Sequence, residues 1–282
     1  MTEQTQNPLT VTGTQFMYGK PEALNADLHA DLRYKSGGAP FTKAEGIHLV
    51  PLLVGEFAQA MMHYPIIFAG EEKTPLAVMG LAEGQNFFIK DGHVEEGAYV
   101  PAYLRRHPFT LASAGEDQFV VCIDRDEAGF VTGDEGEALF ANGEPTEFTK
   151  HAMNFLTEFQ SETTRTGAFI QMLNQADLFE VKNTVFLVNG QSEPVAEYFA
   201  VSEERLAALS DEQLVQLVRS GALSAVQTHL LSLQRWNNLL SRRAKAQGAG
   251  ATPSNSATEP QDAGATPSNS ATEPQDAART AD

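Results

Sequence analysis

The sequence predicts an α+β fold: a strand-rich N-terminal half with one helix, then a helical C-terminal half with a β-hairpin, then a disordered C-terminal tail. Three observations predict it. Short apolar runs rich in β-branched and aromatic residues, separated by glycine and proline, dominate up to about residue 135. From Thr146 the apolar residues recur at three- and four-residue spacing. From Gly248 to Asp282 there is no Val, Ile, Leu, Phe, Trp, Tyr or Met.

The first 45 residues are poor in core material, and Gly37-Gly38 with Pro40 marks a loop. They read as a partly ordered arm packing onto a body of residues 46–246. In that body Pro51 suits the first turn of a helix running to about His63, with Leu52, Leu53, Phe57, Ala60 and Met61 on one face. Pro65 stops it, and Ile66-Ile67-Phe68 reads as a short buried strand. Pro75 to Leu81 and Asn86 to Ile89 read as two strands joined by the turn at Ala82 to Gln85, and Asp91-Gly92 as another turn. Phe119 to Asp124 (FVVCID) is rich in β-formers and reads as a central strand.

Phe148, Ala152, Phe155, Leu156 and Phe159 form a helical stripe, and Phe169, Ile170 and Leu173 continue it in a second helix. Val185 to Val188, Asn189-Gly190 and Val195 to Val201 carry the strongest hairpin signal, because Asn-Gly tolerates the positive φ of a tight turn. Ser210 with Gln213 predicts a capping box, and Gly221 a helix stop. A long final helix follows, with Leu223, Val226, Leu230, Leu233 and Leu240 on one stripe and Trp236 completing the core. The tail, 247–282, repeats GATPSNSATEPQDA from Gly250 and again from Gly264. With no large apolar group it cannot offset the entropy of ordering.

Acids number 37 against 19 Lys and Arg, a formal net charge of -18. The tail holds five acids and one base, so the body still carries about -14. Such a surface repels phosphate backbones, which argues against nucleic acid as a partner. No window approaches the roughly 18 apolar residues of a membrane-spanning helix. MTEQTQNPLT has neither a basic nor an apolar leader segment, so a cytoplasmic location is expected. Cys122, the single cysteine, cannot form an internal disulfide and reads as inert packing in its strand.

The seven histidines show no HxH or HxxxH spacing, and no GxSxG, GxGxxG or GxxxxGK occurs, so neither a metal, a cofactor nor a catalytic residue is assigned. Asp124 to Glu135 places acids at calcium-loop positions 1, 3 and 12, but Ala128 removes a ligand and the bland reading is an acidic turn. The unusual segment is YVPAYLRRHPF. Arg105, Arg106 and His107 make a positive spot in a negative chain, flanked by Tyr99 and Tyr103. Arginine presents a rigid fork to carboxylates. Two readings follow: an internal clamp on the protein's own carboxylates, or the site of a small-molecule-binding or catalytic domain, with Tyr99, Tyr103, Arg105, Arg106 and His107 joined by Glu56 and His63 as ligand-binding residues. Glu56, His63, His107 and Asp124 form a wider constellation that would have to converge in space.

VPLLVGEFAQAMMHYPIIF (Val50 to Phe68), GLAEGQNFFIKDG, YVPAYLRRHPF, CID, EGEALFANGEPT and the run from Asn189 to Leu233 follow one another in an order that resembles the bacterial SapC family. The resemblance spans roughly Ile47 to Arg243. It implies a non-enzymatic accessory or structural protein of the surface layer or envelope, with surface-layer or envelope proteins as partners and a cell-surface association. It brings no catalytic residues and says nothing of oligomeric state.

Overall fold

The computed structural model describes residues 17–115, 118–188 and 191–246. The expectations for the first 16 residues, for the Asn189-Gly190 turn itself and for the tail from 247 lie outside the described residues.

In chain order the strands and helices are β1 (Pro21–Ala23), β2 (Leu32–Tyr34), β3 (Leu49–Pro51), α1 (Phe57–Ala60), β4 (Ile66–Ala69), β5 (Thr74–Val78), β6 (Ile89–Lys90), β7 (His93–Val94), α2 (Ala102–Arg105), β8 (Phe109–Gly115), β9 (Gln118–Asp124), β10 (Phe130–Thr132), β11 (Glu137–Ala138), β12 (Phe140–Ala141) and β13 (Glu144–Pro145). Then come α3 (Glu147–Gln175), β14 (Phe179–Val188), β15 (Gln191–Val201), α4 (Glu203–Ala207), α5 (Asp211–Ser220), α6 (Ala222–Ser232) and α7 (Trp236–Ala246). The fold is α+β, strand-rich first and helical later, as its composition predicts.

The main sheet is antiparallel with order β14-β15-β4-β5-β3. Its two longest strands form the expected hairpin, which begins earlier than the sequence suggested, at Phe179. Ile66, Ile67 and Phe68 of β4 are buried against α6, and Phe68 meets Phe57, Phe169, Phe179 and His229 ring to ring. The second sheet, β1-β9-β8, has β9 in its centre, so the FVVCI run is the central strand it was read to be. Cys122 on that strand is fully buried, and burial pushes its thiol pKa up, the setting of an inert packing group.

Two cores result. The large one lies between the main sheet and α3, α5, α6 and α7; the small one gathers Leu32, Phe109, Ile123, Leu139, Phe140 and Leu156. Helix α3 belongs to both. Leu156 packs in the small core, while Phe169 and Leu173 pack in the large one. This corrects the expectation of two helices: one 29-residue helix, about 43 Å long at the usual rise, bridges both cores without a break at Gly167.

Three further expectations are corrected. Pro51 ends β3 instead of opening a helix; β3 is a sheet edge, where a missing N–H is tolerated, and helical structure starts only at a 3₁₀ turn, Val54–Glu56, that runs into the single turn of α1. The segment from Asn86 forms no strand back to β5. The Asn86 side chain bonds the Ala44 and Ile47 carbonyls and accepts from the Phe88 and Ile89 N–H groups, fixing a loop. β6 pairs forward with β7 across Asp91-Gly92, both at positive φ. Finally, the long last helix is interrupted by a 3₁₀ turn at Leu233–Arg235.

The Ser210–Gln213 capping box and Gly221 at φ 76° are present as read. Trp236 is buried and its ring lies 5.7 Å from that of Tyr198. Residues 17–45 add two strands, β1 on β9 and β2 between β10 and β11.

Candidate functional site

The YVPAYLRRHPF segment enters from the β6-β7 hairpin, makes the short helix α2 and continues into β8. Its side chains face three directions.

Tyr99 and Arg105 lie together. The buried Glu56 carboxylate organises this part: one oxygen accepts from the Tyr99 hydroxyl at 2.7 Å and the Ala102 N–H at 2.6 Å, the other from the Leu53 N–H at 2.8 Å. Burial, and next the hydrogen bond to Glu56, push the Tyr99 pKa well up. Arg105 is exposed, donates to the Val100 carbonyl and lies over the Tyr99 and Phe155 rings. Among the described residues no carboxylate lies within ion-pair distance of it.

His107 faces the other way, toward the arm. Its Nε2 is 3.4 Å from an Asp124 oxygen and 3.8 Å from Glu127, and its ring lies 5.3 Å from that of Tyr18. Asp124 is fully buried; Lys43 donates to it at 2.7 Å, and the Gly19 and Lys20 N–H groups also bond it. Burial opposes its charge, but these donors outweigh it and lower its pKa to about 2. Burial lowers the pKa of His107 against the pull of Asp124. The first position of the acidic loop is thus occupied by an internal ion pair that ties the arm down.

His63 joins neither group. Burial, and then the Arg235 and Arg242 charges, lower its pKa, and Arg242 is bonded to Glu95 and lies over Phe88. Of the constellation Glu56, His63, His107 and Asp124, only the last two meet.

Arg106 is the distinctive member. It sits one turn after Tyr103, so the two share a helix face. Its guanidinium carbon is 4.3 Å from the Tyr103 ring centre, 4.7 Å from that of Phe159 on α3 and 5.5 Å from that of Tyr18. Among the described residues no carboxylate lies within ion-pair distance of it, and its Nε is buried without a hydrogen-bond partner. The internal-clamp reading of the arginines is therefore corrected: aromatic rings hold them, and Glu56 and Asp124 clamp the backbone, the tyrosine and the histidine instead.

Arg106 and Tyr103 form part of the wall of a cavity of about 620 Å³. The strand end at Pro51, Leu52, Leu53, Thr74 and Pro75 makes one side; Phe159, Thr163, Thr166, Gly167 and Ile170 of α3 make the other; Glu71 and Glu72 stand at the exposed edge. Thr166 is fully engaged, accepting from the Val54 N–H and donating to the Glu162 carbonyl, so it fixes the distance between the two sides. Arginine cannot give up its proton at neutral pH, so what this wall offers is recognition by charge, ring and apolar surface.

The SapC family profile matches residues 24–239, most of the chain. The chain belongs to the SapC family. The match starts in the arm, well before Ile47, in keeping with the pairing of β2 within the body and the Lys43–Asp124 pair. No curated protein and no solved structure matches the chain. Within this SapC chain, sequence reasoning missed Phe159 as a partner of Arg106 and Gly167 and Ile170 as residues of the same cavity wall. Gly167 carried a signal: a glycine inside a helical stripe is costly and asks for a reason.

Proposed function

We propose that this SapC-family chain is a non-enzymatic accessory protein that binds a small molecule in the cavity beside Arg106. The observation that supports the reading is the Arg106 guanidinium itself, which lies over the Tyr103 and Phe159 rings at the wall of a 620 Å³ space, with no carboxylate among the described residues paired to it. A cation fixed by rings and left without a counter-charge is prepared for one supplied from outside. Native mass spectrometry of the purified full-length chain tests this. A bound small molecule present in the wild type and lost in Gly167→Phe, which fills the cavity, supports the reading; identical spectra sink it.

A role at the surface layer or envelope, which the family's name suggests, draws on a different feature. Leu214, Val215 and Val218 of α5 are exposed on a helix otherwise packed on α6. Apolar side chains grouped in this way favour a protein partner. Co-sedimentation with isolated envelopes, lost in Val215→Glu/Val218→Glu, supports this role; equal recovery of both proteins counts against it.

A further inference from the structure

We infer that the molecule taken by the Arg106 cavity is a monoanionic carboxylate with a compact apolar body, an inference that rests on the binding role proposed above. Its head group follows from the charges. Among the described residues Arg106 is the single cation lining the space, and Glu71 and Glu72 stand at its edge. One arginine balances one carboxylate and can bond both of its oxygens, whereas a phosphate dianion keeps excess charge and meets two glutamates on entry. The guanidinium is already stacked, so little side-chain freedom remains to be lost when an acid docks.

The body follows from the rest of the wall. Leu52, Leu53 and Pro75 offer hydrocarbon on one side and Ile170 on the α3 side. Gly167 supplies the room. It lies inside a long helix with an ordinary helical φ, and a Cβ built on it meets nothing within 4 Å. No close backbone approach or left-handed conformation therefore requires glycine there, yet glycine weakens a helix relative to alanine. Its effect is to leave the α3 side of the cavity open.

Isothermal titration of the full-length chain with naphthalene-2-carboxylate, naphthalene-2-carboxamide and 2-naphthyl phosphate tests the class. The carboxylate is expected to bind at least tenfold more tightly than either analogue. Arg106→Met is expected to bring it to the carboxamide's level, and Gly167→Phe to abolish it at an unchanged melting temperature. The comparison of probes needs no variant, so it holds even if Arg106→Met does not fold. Equal binding of acid and amide, tighter binding of the phosphate, or no binding of any probe overturns the carboxylate. If the mass spectra still show a molecule that Gly167→Phe excludes, the binding role survives and only the ligand class falls. If acid and amide bind equally to wild type and Gly167→Phe, both fall together.

Discussion

The Glu56 carboxylate accepts the Tyr99 hydroxyl at 2.7 Å, and with its other two bonds joins the turn after β3 to the first residue of α2. This one buried acid sets where Tyr103 and Arg106 emerge. Glu56→Ala leaves two buried N–H groups and the half-buried Tyr99 hydroxyl without their acceptor, a cost of about 3 kcal/mol. In a body of this size that is a fall of about 6–12 °C in melting temperature. Glu56→Gln keeps one acceptor oxygen and is expected to lose about half as much. An unchanged melt of Glu56→Ala in differential scanning calorimetry would show that the clamp does not hold the segment.

His229 gives acid sensitivity from inside the large core. It is fully buried, its Nδ1 donates to the Ile66 carbonyl at 2.8 Å and its Nε2 accepts from the Val201 N–H at 3.1 Å, so the neutral ring ties α6 to two strands. Burial lowers its pKa to about 4, against the Ile66 bond that raises it. The unfolded chain takes up the proton near pH 6.5 and the folded one does so only near 4. The stability from this site is complete above about pH 6.5 and falls as pH drops toward 4, by about 3 kcal/mol in all. Urea unfolding across that range should show the loss in the wild type and a smaller slope in His229→Gln. Parallel slopes would refute the assignment.

Much of this fold was legible because its determinants are local. The Ser210–Gln213 box, Gly221 and Asp91-Gly92 each act within a few residues, and the β9 run is apolar enough to announce a central strand. What failed was non-local. Pro51 was misread because its edge position depends on pairing with Leu76, and α3 was split because its two apolar stripes serve cores built from distant segments. Arg105 and Arg106 stood out as cations in an acidic chain. Their settings did not, because Phe155 and Phe159 come from α3 and Tyr18 from the arm.

Lys43 and Asp124 fasten the arm to β9, and His107 stands ready beside them. Lys43→Met leaves the Asp124 carboxylate buried with its Gly19, Lys20 and Asp126 N–H donors and His107, but without its ammonium partner. Because Lys43 is partly exposed, the expected loss is about 2 kcal/mol, less than for a wholly buried pair. The Lys43 charge is among the causes that lower the His107 pKa, while Asp124 and Glu127 raise it. Without Lys43 the His107 pKa moves up, so the imidazolium replaces the ammonium in mild acid. The deficit should therefore be largest at neutral and higher pH, where His107 is uncharged, and shrink as the medium is acidified, as measured by urea melts at each pH. A deficit independent of pH would leave His107 outside the pair.

Gly167→Ala separates stability from cavity volume. The position lies inside α3 with open space beside it, so alanine removes the entropy that glycine loses on folding and adds no clash. The expected gain is about 0.5–1 kcal/mol, or a rise of about 1–4 °C in the melting temperature of the chain without ligand. One methyl group also narrows the space beside Ile170 and Thr163. A chain that becomes more stable while taking up naphthalene-2-carboxylate less well would show that glycine serves the cavity and not the helix. A destabilised Gly167→Ala would mean that α3 needs glycine for packing, and the open space beside it would no longer explain the residue.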